Sequence, residues 1–327
     1  MTKESKGPDL GSEGDRSRCW RCGSDRLKRL YTKWNTPIWR CSACDQVFSG
    51  QHKNADELAD WYADYYTERN TTLDPLTRSR YHELLHRFET HRRSGRLLDV
   101  GCGFGFLLAT AAERGWEVYG SEISSSALRY TERLGLARDR IHLGGIEDAD
   151  LPPESFDVVT LLEVIEHLHD PMPTLRAVAR LLRPGGVLYL TTPNYASLSR
   201  LILRDNWSVI HPEEHLSYFD THSLVTLLAG VDLQCIDTRT TGIGYHEILR
   251  HLRGTGTVDD HPGADAVQAA REAIEGRAWL SALKRGANSV LSLMGRGDTI
   301  KLFARRTGGR SESEQRAATA FRDRRER

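Results

Sequence analysis

The cysteines carry the plainest chemistry in the chain. Cys19-x2-Cys22 and Cys41-x2-Cys44 are two pairs eighteen residues apart, a spacing at which four thiolates close a tetrahedral zinc site. Four thiolates leave no open coordination position, so an ion there is structural. A module of about 35 residues holds too small a core to fold unaided, and a metal supplies the missing folding free energy. The alternative is four free or buried thiols at this spacing by chance. Cys102 and Cys235 stand apart; the first fills a site that needs a small side chain, and the second reads as core.

A second set of residues begins at Leu97-Leu98-Asp99-Val100-Gly101-Cys102-Gly103-Phe104-Gly105. An apolar strand ends in an acid two positions before G-x-G-x-G, and a helical pattern follows. Glycines there permit the turn and let the backbone approach a ligand closely. A dinucleotide-binding turn reads G-x-G-x-x-G, whereas residue 106 is Phe. Asp99 would repel a phosphate; it suits the ammonium of an amino-acid-bearing nucleoside. Glu122 ends the next strand, where an acid can accept both ribose hydroxyls. Ile123 can pack on an adenine, and the loop Gly145-Ile146-Glu147-Asp148 can reach its edge. The expected donor-site residues are therefore Asp99, Gly101, Cys102, Gly103, Glu122, Ile123, Ile146 and Glu147.

The third set is Glu163, Glu166 and His167, whose i, i+3, i+4 spacing puts all three on one face of a helical turn. Downstream lie Thr192-Pro193-Asn194-Tyr195 and His211-Pro212-Glu213-Glu214-His215, with Tyr218 and Phe219 beyond. These segments fall at the carboxyl ends of strands, where open α/β sheets hold ligands. His167 or His215 can serve as a general base near neutral pH. Glu166-His167 can equally brace its turn and no more. His169, His211 and His222 read as surface or capping residues.

Asp99, the glycines, Glu122 and the later Phe156-Asp157-Val158-Val159 strand, in that order, resemble the class I S-adenosylmethionine-dependent methyltransferases from about Arg96 to Arg305. Gly145 departs from that pattern, since many relatives carry an acid there. The resemblance implies S-adenosyl-L-methionine as cofactor, an EC 2.1.1-class transferase, and a Rossmann-like doubly wound α/β fold. The E-x-x-E-H segment with a later histidine is similar to two metal-dependent groups, the ubiquinone-biosynthesis O-methyltransferases and the small-RNA 3′-terminal 2′-O-methyltransferases. That likeness implies a divalent ion on Glu163, Glu166, His167 and His215. Carboxylates favour Mg²⁺, while imidazoles favour Mn²⁺, Fe²⁺ or Zn²⁺.

The elements that must position these groups follow from periodicity. Short β-rich runs alternate with helical ones: strands at Arg96–Val100, Glu117–Glu122, Arg140–Leu143, Phe156–Leu161, Gly186–Thr191, Leu233–Thr238 and Thr299–Arg305, with helices at Gly105–Arg114, Ser124–Leu134, Pro171–Leu182 and Thr221–Leu228. Such alternation predicts a mainly parallel sheet. The resulting organisation is a disordered tail (1–15), a zinc ribbon (16–50), a helical linker or lid (51–95), a methyltransferase domain (96–306) with a helical insertion at about 242–298, and a charged tail (307–327). The predicted helices of the lid centre on Leu58–Tyr66 and Tyr81–Phe88, those of the insertion on Ala266–Glu275 and Trp279–Met294.

Lys plus Arg and Asp plus Glu both number 45, giving a formal net charge of zero, which argues against binding nucleic acid or membrane through bulk charge. No apolar run approaches the roughly 20 residues of a membrane span, and a cytoplasmic location is expected. The ribbon mixes bases and aromatics (Trp20, Arg21, Lys28, Arg29, Lys33, Trp34, Trp39, Arg40), as RNA-binding ribbons do; packing against the catalytic domain or over its acceptor pocket is the favoured alternative. The expected reaction is O-methylation of a small hydroxylated metabolite such as a sugar, nucleoside or catechol-like diol. RNA 2′-O-methylation, C- or N-methylation, and a silent methyltransferase-like binding protein are the competing readings.

Overall fold

The structure, a computed structural model, describes residues 17–51, 73–253, 286 and 288–308. Its centre is a seven-stranded sheet in the order β10-β11-β8-β7-β4-β5-β6. The strands are β4 (Arg96–Val100), β5 (Glu117–Glu122), β6 (Ile141–Leu143), β7 (Phe156–Leu162), β8 (Leu182–Pro193), β10 (Leu233–Thr241) and β11 (Thr299–Arg306). Strands β6 to β8 run parallel, and β11 and β10 close the edge antiparallel. This is the expected Rossmann-like architecture. The chain leaves β4 toward β5 and later returns to lay β7 on β4's other side, so the strand order reverses between β4 and β7. Crevices at such a reversal are where doubly wound sheets bind ligands.

Helices cover both faces, and local chemistry sets their ends. In α1 (Pro75–Phe88) the Asp74 side chain accepts from the Thr77 N–H at 2.9 Å and Pro75 opens the first turn, both ordinary start signals. Its Leu85 and Phe88 are buried, with Phe88 edge-on to Tyr189 and Phe303. α2 (Phe106–Glu113), α3 (Ser125–Arg133) and α4 (Met172–Leu181) alternate with the parallel strands. α5 (Leu198–Leu203) follows β8. α6 (Thr221–Ala229) starts in a reciprocal capping box between Asp220 and Ser223. α7 (Tyr245–Arg253) opens the region expected as an insertion.

Asp157, fully buried on β7, takes the Arg93 and Gly95 N–H groups at 2.7 Å and the Arg183 guanidinium. Burial raises its carboxyl, but these donors outweigh that and hold it below the usual carboxylate range. Asp157 thus pins the start of β4 at the end of the sheet remote from the crevice.

Residues 17–51 form a separate small sheet. Strands β1 (Leu27–Lys33), β2 (Thr36–Cys41) and β3 (Val47–Ser49) pair antiparallel, and a two-residue strand from the main domain, β9 (Ser217–Tyr218), pairs with β3. The β1–β2 turn places both Trp34 and Asn35 at positive φ, the backbone of a type I′ hairpin. The expected first lid helix, the insertion helix at 266–275, the residues 279–285 and the tails 1–15 and 309–327 lie outside the described residues.

Candidate active site

Asp99 sits in β4 opposite Thr160 of β7, whose hydroxyl donates to its Oδ1 at 2.6 Å. It is almost wholly buried, and no cation pairs with it among the described residues. Burial, with the nearby Glu122 adding, pushes its carboxyl up to about 7. An acid desolvated at that cost and lacking a counter-ion fits an incoming ammonium group. Glu122, also buried, ends β5 and accepts the Gly103 and Ser124 N–H groups at 2.8 Å, one on each oxygen. It thereby ties the glycine turn to the entry of α3.

Gly101 has φ of +70°, and a Cβ there would lie 2.6 Å from the Val164 Cγ2. The turn after β4 and the turn after β7 touch at that point, so a side chain is excluded both by conformation and by space. Cys102 is buried; its sulfur packs toward Gly120, and burial raises the thiol well above its ordinary value. That environment makes it inert. Ile123 is half-buried beside the turn. Ile146 lies in the core with Ala149 and Phe156, and Glu147 is exposed, accepting from the Thr174 hydroxyl at 3.3 Å.

The acceptor side forms where β7 and β8 end. Glu163 leaves β7 at φ +53°, a left-handed residue, and the one-turn 3-10 segment Ile165–His167 begins only after it. Glu163 is therefore not on the same helical face as the other two. Among the described residues, Glu166, His167 and His215 bring their ligand atoms within 4.8 Å of one another, without Glu163. The Glu163 N–H instead donates to the Thr191 carbonyl at 3.0 Å, and burial raises its carboxyl.

Each histidine is held from behind. The His167 Nδ1 meets the Glu214 carbonyl at 3.0 Å, and the His215 Nδ1 meets the Val209 carbonyl at 2.7 Å. A carbonyl only accepts, so each Nδ1 carries the proton and each Nε2 the lone pair. Backbone support of this kind is the usual outer shell of a metal-ligating histidine. Burial lowers both imidazoles, His167 to about 3 with the His215 ring adding, so both are neutral at physiological pH. Glu166 is 2% exposed and accepts from the Thr192 hydroxyl at 2.9 Å. Burial first, and Glu163 second, raise it well above the carboxylate range. A site of one carboxyl and two imidazoles suits a divalent ion; octahedral neighbours at bond lengths of about 2.1 Å stand about 3–4 Å apart, and the His167 Nε2 lies 4.0 Å from the Glu166 Oε1.

The four cysteines meet at the other end of the small sheet. Their sulfurs lie within 4.8 Å, with Cys19–Cys44 at 3.6 Å and Cys22–Cys41 at 3.5 Å. A thiolate tetrahedron with metal bonds of about 2.3 Å has edges of about 3.8 Å, so the cradle fits zinc. The two knuckles are equivalent: Gly23 N–H donates to the Cys19 carbonyl and Asp45 N–H to the Cys41 carbonyl, and both turn residues have positive φ. Burial raises the Cys41 thiol, and the Ala43 and Cys44 N–H groups outweigh it and leave it lowered.

The ribbon's bases and aromatics divide between surface and interface. Ile38 and Val47 share a buried cluster with Tyr195, Trp207, Ile210 and Tyr218 of the main domain. The Tyr31 and Tyr195 hydroxyls meet at 3.4 Å, and Trp34 lies edge-on to His211 with ring centroids 4.5 Å apart. One face of the ribbon is therefore packed on the acceptor side. Thr160 and Ser49 are supporting residues that spacing alone misses, and the bond of Thr192 to Glu166 emerges only once the register of β7 and β8 is known.

A methyltransferase-domain family matches residues 74–238, half of the chain. The ubiquinone biosynthesis O-methyltransferase of Idiomarina loihiensis is 41% identical over 103 residues, 30% of this chain and 42% of that protein. The Saccharophagus degradans protein of the same name is 40% identical over 103 residues, 30% and 44% of the two chains. The chain thus spans about two fifths of the length of the curated relatives it matches. A Haemonchus contortus phosphoethanolamine N-methyltransferase 2 in complex with S-adenosyl-L-methionine superposes with a TM-score of 0.50 at 18% identity, covering 80% of this chain and 62% of that one, a likeness of fold alone. The matched segment runs from the start of α1 into β10 and contains the Asp99 turn, Glu122 and the Glu166–His167 turn, and on that match the chain belongs to the class I S-adenosylmethionine-dependent methyltransferases.

Proposed function

We propose that this chain transfers the methyl group of S-adenosyl-L-methionine to an oxygen of a small hydroxylated metabolite, with a divalent ion on Glu166, His167 and His215 and a structural zinc on Cys19, Cys22, Cys41 and Cys44. The observation that carries the reading is the meeting of those three ligands at 4.8 Å or less beside the β4–β7 reversal. The name of the matched relatives supports oxygen as the accepting atom.

The chain's residues divide the work. Asp99 binds the donor's ammonium and Glu122 its ribose, fixing the donor across the glycine turn. The carbonyls of Glu214 and Val209 hold the imidazoles with Nε2 forward, and Thr192 orients Glu166. Glu166, His167 and His215 would hold the ion, which would supply Lewis-acid activation of an acceptor hydroxyl. The ribbon's burial against Tyr195, Trp207 and Tyr218 favours a role in shaping the acceptor side over gripping RNA.

The test is transfer of labelled methyl from the donor into a small-metabolite extract and into total RNA, after brief treatment with a weak chelator and with or without added Mg²⁺ or Mn²⁺. Label restored by metal in the metabolite pool supports the reading. Label in RNA makes the acceptor a nucleic acid, and label indifferent to metal leaves His215 or His167 as a general base. No transfer into either pool favours the silent binding protein.

A further inference from the structure

The segment that carries His215 is held from two sides by groups on different sheets. From the main domain, the Glu166 carbonyl accepts the Leu216 N–H at 2.8 Å. From the ribbon, Ser49, fully buried at the end of β3, makes two bonds to the same segment. Its hydroxyl donates to the Pro212 carbonyl at 2.7 Å, and its N–H donates to the Leu216 carbonyl at 3.0 Å. These bonds lie on either side of His215 in the sequence. β3 then continues into β9 through Val47↔Tyr218 and Phe48↔Ser217. The Gln46 amide adds a bond to the Tyr218 carbonyl at 3.1 Å.

Within the segment, the His215 N–H donates to the His211 carbonyl at 2.7 Å. Its Nδ1 is held by the Val209 carbonyl. Nothing else in the segment is regular secondary structure before β9, so its path depends on the groups that grip it. A loop gripped at one end only can pivot, and an imidazole displaced by about 1 Å leaves a metal site incomplete.

We infer that Ser49 of the ribbon is a positioning residue for the acceptor-side site: its hydroxyl fixes the path of residues 211–216 and through it the position of the His215 ring. This rests on the proposed metal site at Glu166, His167 and His215. The ribbon is then part of the machinery that builds the acceptor site.

The test uses the full-length zinc-loaded protein and measures Mn²⁺ uptake by the loss of free-ion electron paramagnetic resonance signal. Zinc content and S-adenosylmethionine binding by calorimetry serve as controls for folding. Ser49→Ala is expected to keep one zinc per chain and donor affinity within about twofold, while Mn²⁺ affinity falls about tenfold or more, the scale of outer-shell losses at metal sites. Ser49→Thr, which keeps the hydroxyl, is expected to restore most of it. Tyr31→Phe removes another ribbon contact, the bond to Tyr195, and is expected to leave Mn²⁺ affinity unchanged. Ser49→Cys, which keeps the volume and donates weakly, provides the measurement if the alanine variant does not fold. Wild-type Mn²⁺ affinity in Ser49→Ala, beside a loss in His215→Ala, overturns the positioning role and leaves the proposed site standing. An equal loss in Tyr31→Phe overturns it too, making the effect one of ribbon docking in general. If the wild-type chain takes up no Mn²⁺ at this site, the proposed ion and the role of Ser49 fall together.

Discussion

The imidazole rings of His167 and His215 stand 4.9 Å apart, edge to face at 71°, although one follows β7 and the other lies in an irregular segment between α5 and β9. Neither ring can turn its Nδ1 toward the site without abandoning a backbone carbonyl. With each Nδ1 bonded to a carbonyl, Nε2 is the nitrogen each ring has for ligating an ion or taking a proton.

Asp99 offers a test of the donor side. Its unfolded pKa is about 3.8 and its folded value about 7, so the folded protein holds a proton there that the unfolded chain gives up. The sign follows: this group's contribution to stability is lost as pH rises from about 4 to about 7 and is constant above. Asp99→Asn, neutral at every pH, should therefore be the more stable form without donor at pH 7.5, by a few kcal/mol at most. The gap should close toward pH 4.5, as read by urea unfolding of both proteins. The same variant should bind S-adenosylmethionine about ten- to a hundredfold more weakly, the worth of a charge-assisted hydrogen bond. An unchanged affinity would remove Asp99 from the donor site.

Gly101 and Val164 make a second test. In Gly101→Ala the new Cβ meets the Val164 Cγ2 at 2.6 Å, and the residue is held at φ +70°. The overlap costs about 1–3 kcal/mol and the left-handed backbone about another 1–2. Gly101→Ala combined with Val164→Ala should recover the first part only, because truncating the valine relieves space and not conformation. Chemical denaturation of the two single variants and the double variant gives both terms. Strict additivity would mean that the two turns do not touch in solution.

The sequence made the parallel sheet legible because its strands are apolar runs set between amphipathic helices, and a run such as Phe156–Leu162 has no stable alternative. Asp99 and the glycines were legible for the same reason, since a strand, an acid and a glycine turn need no distant partner. Glu163 misled because i, i+3, i+4 spacing implies one face only where the backbone is helical, and Glu163 leaves its strand left-handed at φ +53°. Ile146 was legible as a loop position, and only the structure shows its side chain packed in the core beside Phe156. The pairing of β3 with β9 was invisible: two residues such as Ser217-Tyr218 carry no periodicity, and the contact depends on the long-range placement of the ribbon.

The ribbon's stability gives a third prediction. Its own core is little more than Cys19, Cys41 and Phe48, and a buried phenylalanine contributes about 1.5–3 kcal/mol. Ordering each backbone residue costs about 1–2 kcal/mol, so the module needs its docked face and, on the proposed reading, zinc. Cys44→Ser should lose most of the zinc measured by inductively coupled plasma mass spectrometry. Amide exchange should then rise in β2, β3 and β9 together, while β4 and β7 keep their protection. Protection retained in β9 would separate the ribbon from the acceptor side.

His215→Ala is the sharpest test of the acceptor assignment. The variant deletes one of the three proposed ligands and leaves Asp99, Glu122 and the glycine turn untouched, so donor affinity should stay within about twofold of wild type while turnover falls about a hundredfold or more. The two routes to turnover then separate by their response to added metal. With an ion, activity of the wild type should follow added Mn²⁺ or Mg²⁺. It should also hold as pH falls from 8 toward 6, because burial depresses both imidazoles and His167 stays neutral down to about 3. With a histidine base acting alone, the metal would be irrelevant, and the depressed pKa would make the imidazole a weak base that gains little as pH rises. Initial rates of labelled methyl transfer at pH 6, 7 and 8, with and without metal, decide between them. Near-normal turnover in His215→Ala would withdraw the acceptor site from this end of the sheet altogether.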